Sequence, residues 1–356
     1  MASLVQPSLV NEPFGDPGLY VDFRFGRRAL LFDLGDLQAL VPRKLFRVSH
    51  VFVSHMHLDH FNGFDRLLRV CLGRPTPLSL VGPAGFIDRL QHKLSAYTWN
   101  LVVENAVDFV ITGAEFDGQR LARAAEFHSR EGFRRCDLTP TALLAGVLLD
   151  EENFQVRSAV LDHGVPSLAF AFAEKLRVNI WKDRLARLGL AVGPWVEEIK
   201  KAIRRGDPDE TPVAALRTGR HQQKTTVSLG ELRAAGAFRL EPGEVFAYVV
   251  DVSYHEHNAA GIVELARGAR TLFIEAVFLN EDAHIAALKR HLTTVQAGAL
   301  ARKAGVGRVV PFHFSPRYLD DADRLRRETE DAFTGIIGAD TGYADATGTT
   351  QSAIGE

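Results

Sequence analysis

The chain has 356 residues, of which 46% are hydrophobic and 24% are charged, with a formal net charge of −2 at pH 7. This composition is typical of a globular protein with a sizeable core, and it excludes a globally basic nucleic-acid-binding protein. The sequence contains no apolar run of about 18 residues and no basic N-terminal segment followed by an apolar one. The two cysteines are too few for a disulfide framework. We therefore expect a cytoplasmic protein that is not bound to a membrane.

The first half of the sequence predicts strands that alternate with helices. Apolar runs predict an early hairpin and two buried strands, and spacing of three to four residues predicts two helices. The strands are expected at 19–25, 29–33, 48–54 and 78–81, and the helices at 64–72 and 85–94. Residues 100–175 contain short apolar runs between polar turns, which predicts a meandering sheet.

The second half of the sequence starts with a highly charged segment, 176–205, whose spacing is helical. It ends at the breaker sequence 207–212. Strands are expected at 245–252, 271–276 and 309–312, with helices at 259–266, 281–291 and 294–304. We expect one α/β domain over 1–340, built as two mixed sheets flanked by helices, with 176–205 as an inserted helical arm and 341–356 as a flexible tail. From composition alone, a doubly wound α/β fold remains an alternative.

The most informative segment is Ser54-His55-Met56-His57-Leu58-Asp59-His60, which follows the apolar run 48–53. Its four metal-capable side chains, His55, His57, Asp59 and His60, converge only if the chain turns sharply and begins a helix near Asp59. Crowded imidazoles without a cation contribute little to folding. A pair of bound cations explains the crowding.

Three further candidate ligands, His163, Asp251 and His313, each follow an apolar run that predicts a strand. Zinc prefers imidazole nitrogen and carboxylate oxygen, and strand ends place such groups on a rigid scaffold. Each of the three alone is a weak signal, because a single histidine after a strand is commonly a hydrogen-bonded structural residue.

The His-x-His-x-Asp-His run resembles the signature of the metallo-β-lactamase superfamily, and four later segments resemble motifs of its ribonuclease Z branch. They occur in the family's order over roughly residues 28–320, which is more specific than any one motif. The four segments are Leu161-Asp162-His163-Gly164-Val165-Pro166-Ser167, Ile274-Glu275-Ala276-Val277-Phe278, His291-Leu292-Thr293-Thr294-Val295-Gln296-Ala297 and His313-Phe314-Ser315-Pro316-Arg317-Tyr318.

The resemblance implies an αββα sandwich with two zinc ions, although manganese or another divalent metal suits the same ligands. One cation would be held by His55, His57 and His163, and the other by Asp59, His60 and His313. Asp251 would bridge the two, and Asp59 would also orient the attacking water. Asp33 is expected to form a hydrogen bond near the centre without binding metal.

The resemblance also assigns residues that do not bind metal. His291 would protonate the leaving oxygen, and Glu275 would orient His291. Ser315 and Arg317 would bind the substrate phosphate. Without the resemblance, His291 and Glu275 are equally consistent with a surface histidine and a strand-end carboxylate, and Ser315 and Arg317 with turn residues. His255 and His257, which follow Asp251, are interpreted as loop residues.

Several positions depart from the family pattern and leave the substrate open. The Gly-Glu-Gly-Thr turn is replaced by Leu34-Gly35-Asp36-Leu37, Asp251 lies between two valines, and Ile274 and Val277 replace the histidine and threonine of His-Glu-Ala-Thr. The first hypothesis is a precursor-tRNA 3′ endonuclease. The alternative keeps the metal centre but hydrolyses a small ester, such as a cyclic nucleotide or an aryl sulfate. The third is an inactive scaffold protein.

The segment 176–205 occupies the position of the family's RNA-binding arm. Between positions 182 and 205 it has seven lysine or arginine residues and three acidic ones. A local basic excess of this kind binds RNA phosphates with a strong dependence on salt. The alternatives are a solvated helix pair or a dimer contact. The expected partners are therefore RNA or a small phosphodiester and, from the family, a second copy of the chain.

Overall fold

The computed structural model describes residues 3–24, 26–104, 107–218 and 223–337. The first eight strands form one mixed sheet in sequence order. They are β1 (Val5–Leu9), β2 (Leu19–Phe23), β3 (Ala29–Phe32), β4 (Val48–Phe52), β5 (Leu78–Pro83), β6 (Val110–Phe116), β7 (Leu121–His128) and β8 (Arg134–Leu138). Strands β3 to β6 are parallel, and the strands outside them pair antiparallel. The predicted tail, 341–356, lies outside the described residues.

Four helices connect the parallel strands of this sheet and cover its outer face. They are α1 (Pro42–Leu45), α2 (Leu58–Phe61), α3 (Phe64–Cys71) and α4 (Phe86–Ser95). Helix α3 shows why the periodic spacing is informative, since Phe64, Leu67, Leu68 and Cys71 form its buried face. Helices α3 and α4 agree with the expected ranges to within one residue at each end.

After three antiparallel strands of the second sheet, the chain builds a separate small unit. The three strands are β9 (Val147–Asp150), β10 (Phe154–Asp162) and β11 (Pro166–Glu174). The inserted unit consists of β12 (Arg177–Ile180), α5 (Lys182–Arg187), β13 (Leu190–Ala191), α6 (Trp195–Arg205), β14 (Pro212–Arg217), β15 (Lys224–Ser228), α7 (Leu229–Ala234) and β16 (Phe238–Glu241). It has its own hydrophobic cluster around Trp195, Ile199 and Leu229.

The expectation of a helical arm over 176–205 is wrong. The inserted unit continues to Glu241 and contains five strands. Strand β12 pairs with β16, and β13 pairs with β14, which pairs with β15. Only β13, with two residues, is too short to show the alternation that predicts a strand; the other strands have four to six residues and were not predicted. Helices α5 and α6 have the spacing that predicted a helical segment.

The chain then returns to the second sheet. The remaining elements are β17 (Val245–Val249), α8 (Glu256–Leu265), β18 (Thr271–Glu275), α9 (Ala283–Lys289), α10 (Thr294–Ala304), β19 (Val309–Phe312) and α11 (Ala322–Thr334). The sheet has the order β19-β18-β17-β11-β10-β9, with β17, β18 and β19 parallel and the other pairs antiparallel. None of the described helices combines the length and the apolar character needed to cross a bilayer.

Three hydrophobic clusters show that the layers are ordered helix, sheet, sheet, helix. One joins the first sheet to α1–α4, and another joins the second sheet to α8 and α10. The third lies between the sheets, where the Phe32 ring of β3 is 5.4 Å from Phe170 of β11 and 6.1 Å from Tyr248 of β17. The expected sandwich of two mixed sheets flanked by helices is confirmed.

Candidate metal centre

The sequence cluster at 55–60 forms a tight connection between β4 and α2. The strand ends at Phe52, and α2 begins at Leu58, so the chain turns within five residues. His55 and His60 are fully buried, whereas His57 is exposed and Asp59 is partly exposed. The His55 ring lies 4.3 Å from that of His57 and 4.2 Å from that of His60. The turn and helix expected near Asp59 are present.

The distant candidates reach the same place from the ends of other strands. His163 follows β10, Asp251 lies two residues after β17, and His313 follows β19. Parallel strands end at one edge of a sheet, so β17 and β19 deliver their residues together. His313 has a φ of 60°, in the left-handed region that few residues other than glycine adopt. Such backbone strain is concentrated at functional sites.

Asp251 is the residue on which these side chains converge. Its Oδ2 lies 3.6 Å from Nε2 of His55, 3.4 Å from Nε2 of His60 and 3.5 Å from Nε2 of His163. Its Oδ1 lies 2.9 Å from Nδ1 of His313. The carboxylate is buried, so these imidazoles surround it without intervening bulk solvent.

Potential ligand atoms of the described residues form three overlapping groups, each with its atoms within 4.8 Å of one another; two of them hold the seven residues suggested as ligands, and the third contains Asp251, Glu275, His291 and His313. One group contains His55, His57, His163 and Asp251. The other contains Asp59, His60, Asp251 and His313. All seven residues that the sequence suggested as ligands are thus brought together, and Asp251 is shared, as a bridging ligand would be.

The second nitrogen of three histidines is held by a hydrogen-bonding partner outside the group. Nδ1 of His55 lies 3.0 Å from Oγ of Ser54, Nδ1 of His60 lies 3.0 Å from Oδ2 of Asp33, and Nδ1 of His163 lies 2.8 Å from the carbonyl of Arg290. A partner at Nδ1 orients the ring and leaves the Nε2 lone pair for a cation, as in protein metal sites.

The residues fit divalent cations. The Nε2 atoms of His55 and His60 are buried and have no hydrogen-bond partner among the described residues. Unpaired buried polar atoms are costly, and a cation would satisfy both. The set of five imidazoles and two carboxylates is the nitrogen and oxygen chemistry that zinc and similar metals prefer.

The pKa shifts of the clustered histidines also favour the binding of cations. Burial and the neighbouring His60 together lower the pKa of His55 to about 2. Burial opposes a charge on His313, but the Asp251 carboxylate prevails and raises the pKa of His313 to about 10. The cluster therefore balances its buried carboxylate with protons on some histidines while others stay neutral. Cations would compete with those protons, so metal affinity falls as the pH falls.

His291 and Glu275 form a pair beside the two groups. Nδ1 of His291 lies 2.8 Å from Oε2 of Glu275, whose Oε1 accepts the backbone N–H of Val252 at 2.7 Å. Burial opposes the charge on His291, but Glu275 prevails and raises the pKa of His291. The ring of His291 lies 4.9 Å from that of His163 and 5.6 Å from that of His313. The geometry is that of an oriented proton donor at the edge of the cluster.

Ser315 and Arg317 lie in the turn that follows His313. Oγ of Ser315 accepts the backbone N–H of Arg317 at 3.3 Å and caps a short 3-10 helix. The Arg317 guanidinium is about half exposed and lies 3.9 Å from Oδ2 of Asp282. These contacts match the turn-residue alternative. The exposed guanidinium stays available to a ligand.

Sequence reasoning missed the residues that support the histidines. Oγ of Ser54 donates to Oδ2 of Asp33 at 2.9 Å, and the hydroxyl of Tyr248 donates to the same oxygen at 3.3 Å. Asp33 has a φ of 59°, and its hydrogen-bonding role near the centre was expected. The position of Ser54, directly before His55, was the available signal. Tyr248 lies in an ordinary apolar strand, and nothing in the sequence indicated its role.

The histidines that follow Asp251 lie apart from the two groups. His255 is the N-cap of α8, and its Nδ1 accepts the backbone N–H of Asn258 at 3.4 Å. Its Nε2 lies 3.6 Å from Oδ2 of Asp162, and His257 is exposed. The interpretation of both as loop residues is wrong for His257, which lies within α8, while His255 directly precedes that helix.

Two packed mixed sheets between helices, with histidines and aspartates at the strand ends, define a hydrolase of the metallo-β-lactamase fold. No protein-family model matches the chain. A ribonuclease Z from Nocardia farcinica is 31% identical over 322 residues, covering 88% of this chain and 86% of the relative. A ribonuclease Z from Deinococcus radiodurans is 29% identical, and the match covers 88% of this chain and 91% of the relative. The chain belongs to the ribonuclease Z family.

Solved structures agree on the fold. A metallo-beta-lactamase fold protein from Bacillus subtilis, YhfI, has a TM-score of 0.53 at 15% identity and covers 93% of each chain. The short form of human tRNase Z has a TM-score of 0.50 at 18% identity and covers 88% of this chain and 93% of its own. The fold and family expected from the motifs are confirmed.

Proposed function

We propose that this chain is a metal-dependent endoribonuclease that removes the 3′ trailer of precursor tRNA. The observation that carries the proposal is the convergence of six other potential ligands around Asp251, in a chain whose relatives are named ribonuclease Z. The relatives favour RNA over a small ester as the substrate, despite the departures at Ile274 and Val277. The intact ligand set argues against an inactive scaffold.

The cations would be held by His55, His57 and His163 on one side and by Asp59, His60 and His313 on the other, with Asp251 shared. Divalent metals bound there would neutralise the charge of a phosphodiester and lower the pKa of water toward about 7. Zinc is the metal we propose, because imidazole dominates the ligand set; manganese or another divalent ion is the alternative.

Two side chains are proposed to act directly on the reacting atoms. The Asp59 carboxylate, 39% exposed, reaches solvent and would orient the attacking water. His291 would donate its proton to the 3′ oxygen that leaves as the phosphorus–oxygen bond breaks, giving an upstream 3′ hydroxyl. Glu275 keeps His291 protonated and oriented through the 2.8 Å contact.

Substrate contacts and assembly complete the proposal. Ser315 and Arg317 are proposed to contact the phosphate, and the basic residues of α6 to contact RNA farther from the centre.

We further propose a homodimer, as the family resemblance implies, and a location in the cytoplasm. Cys71 and Cys136 are both unpaired, and free thiols are typical of a reducing compartment.

The test is His291→Ala, assayed on precursor tRNA and on bis-p-nitrophenyl phosphate, an unstructured diester. Loss of a general acid costs about 10²- to 10⁴-fold in rate. We expect the loss to be largest on RNA, because the ribose 3′ oxygen is a poorer leaving group than p-nitrophenolate. Activity equal to wild type on both substrates would refute the acid role. Absence of trailer removal by the wild-type protein, with diester turnover intact, would refute the RNA substrate.

A further inference from the structure

We propose that Arg290 binds a phosphate of the RNA substrate with its side chain, while its main chain positions His163. The inference rests on the proposed function, since it takes RNA as the substrate. Arg290 ends helix α9, and it directly precedes His291 in the sequence.

The main chain of Arg290 is held in an unusual conformation. Its φ of 63° and ψ of 39° lie in the left-handed region, which is unfavourable for a residue with a side chain. In this conformation its carbonyl oxygen accepts a hydrogen bond from Nδ1–H of His163 at 2.8 Å. The strained residue therefore fixes the orientation of one candidate metal ligand, which is the kind of use that retains strain at functional sites.

The side chain of Arg290 covers the backbone of Gly164, the residue after His163. A Cβ atom on Gly164 would lie 2.4 Å from Nη1, 2.7 Å from Cζ and 2.9 Å from Nε of Arg290. All three distances are too short for a real contact, so the guanidinium occupies the space that the absent side chain leaves open. Gly164 also has a φ of 78°. This packing places the exposed guanidinium directly beside His163 and Gly164.

The charge of Arg290 has no counterion among the residues that the structure describes. Arg290 is exposed, and within the described ranges no carboxylate forms an ion pair with it. Arg317, the phosphate-binding residue that the family resemblance implies, lies 3.9 Å from the Asp282 carboxylate. A planar guanidinium with fixed orientation and no counterion suits the paired oxygens of a phosphate. Arg290 therefore meets the requirements for a phosphate contact more fully than Arg317 does.

The experiment compares Arg290→Gly with Arg290→Lys and Lys289→Ala. Glycine removes the guanidinium but keeps the left-handed backbone, so the His163 contact survives. Lysine restores the charge without the planar fork. Lys289 is an exposed cation one residue away at the end of the same helix, and Lys289→Ala removes one positive charge while leaving Arg290 unchanged.

We expect Arg290→Gly to raise KM for precursor tRNA by about 10-fold, with a smaller effect on kcat. Its relative loss on bis-p-nitrophenyl phosphate should be at least fivefold smaller, because that substrate has one phosphate, which the metal centre itself holds. The slope of log(kcat/KM) against log[salt] should become shallower by about one, the change expected for one lost phosphate contact. Arg290→Lys should recover part of the loss, and Lys289→Ala should stay within twofold of wild type.

Two results would overturn the inference. Equal losses on both substrates, accompanied by lower bound metal, would mean that Arg290 acts only by supporting His163. An effect of Lys289→Ala as large as that of Arg290→Gly would mean that any nearby charge suffices.

If the wild-type protein leaves the precursor uncleaved, the proposed function fails on its own. The same RNA is then a stable ligand, and its dissociation constant is measured by fluorescence anisotropy for the same four proteins. A Kd raised by about 10-fold in Arg290→Gly alone would support the phosphate contact, and equal Kd values, or no binding to wild type, would refute it.

Discussion

The two halves of the chain build the metal centre in different ways. The first half supplies four potential ligands from one connection, 55–60, whose shape is set by the end of β4 and the start of α2. The second half supplies His163, Asp251 and His313 one at a time, from three strand ends. Local chain geometry thus explains one half of the site, and sheet topology explains the other. The halves meet at Asp251, which contacts histidines from both.

Asp251→Asn gives the most severe test of this comparison, since it removes the charge shared by both halves. We expect hydrolysis to fall more than about 100-fold, beyond the range typical of residues outside the ligand set, together with loss of bound metal. Metal analysis of the purified protein and steady-state rates on bis-p-nitrophenyl phosphate measure both effects.

The matched control for Asp251 is Glu264→Gln, which neutralises an exposed carboxylate of α8 in the same half of the chain. It should keep metal content and rate near wild type. If Asp251→Asn also keeps its metal and its rate, the two halves do not share a centre at Asp251, and the convergence seen in the structure has no catalytic meaning.

Glu275→Gln tests the second half alone. Glutamine still accepts the Val252 N–H through Oε1, but it removes the carboxylate that raises the pKa of His291. The protonated donor is present below that pKa and lost as the pH rises through it. We therefore expect the alkaline limb of the pH–rate profile to move to lower pH, with a loss of about 10- to 100-fold at neutral pH.

The pH profile distinguishes an electrostatic role of Glu275 from a merely structural one. A mutation that only loosened the fold would lower the rate at all pH values without moving the limb. Glu115→Gln is a suitable comparison, because Glu115 is also a buried strand carboxylate whose Oε1 accepts a backbone N–H, that of Ile87 at 2.9 Å. Glu115→Gln should leave the alkaline limb of the pH–rate profile at its wild-type position.

Ser54→Ala tests the support of the first half with a smaller expected effect. It deletes the hydroxyl that donates to Asp33 and lies 3.0 Å from Nδ1 of His55. We expect metal affinity to fall about 10-fold, at the low end for an outer hydrogen-bonding partner. Competition with a chelator measures it.

Ser158→Ala is the matched control, because the buried Oγ of Ser158 donates to the carbonyl of Ala169 at 2.9 Å on β10. Ser158→Ala loses one buried hydrogen bond, and Ser54→Ala loses the bond to Asp33 together with the contact to His55, so unfolding free energy should fall by about 1 kcal/mol for each bond lost. Only Ser54→Ala should change metal affinity. Equal metal affinities in the two variants would contradict the role of Ser54 in orienting His55.

The same contrast explains what the sequence predicts and what it does not. The cluster at 55–60 was visible because its residues are neighbours, and the layered fold followed from regular strand and helix spacing. His163, Asp251 and His313 gained weight only as an ordered set resembling a family. The carbonyl of Arg290 and the hydroxyl of Tyr248 had no signal, since a backbone oxygen and a core tyrosine depend on three-dimensional contacts.

The inserted unit shows a second kind of limit. Helices α5 and α6 were predicted from spacing, but α7 and the strands were not; β13 has only two residues, and β14 begins with proline. The basic excess counted in the sequence is also partly offset by acidic residues from outside the counted segment. Glu152 and Asp207, which lie outside the counted segment, approach Arg204 at 3.6 Å and Arg205 at 2.6 Å.

These ion pairs set the size of the last prediction, replacement of Lys200, Lys201, Arg204 and Arg205 by alanine. Lys200 and Lys201 pair with Glu197 and Glu198 on α6, so all four cations have carboxylate neighbours. Each partner offsets part of the attraction to RNA. We expect KM for precursor tRNA to rise only about 3- to 10-fold, and the salt slope to change by less than the roughly 3.6 that four full phosphate contacts would give.

The rate on bis-p-nitrophenyl phosphate should stay within twofold, because exposed ion pairs contribute only about 0–1 kcal/mol each to stability and the metal centre is built by other elements. Arg120→Ala with Arg134→Ala is the control, since both arginines are exposed and paired on the first sheet. If the control raises KM equally, the RNA responds to overall charge. If the α6 variant changes neither substrate, the inserted unit does not contact RNA through this helix, and substrate binding depends on residues beside the metal centre.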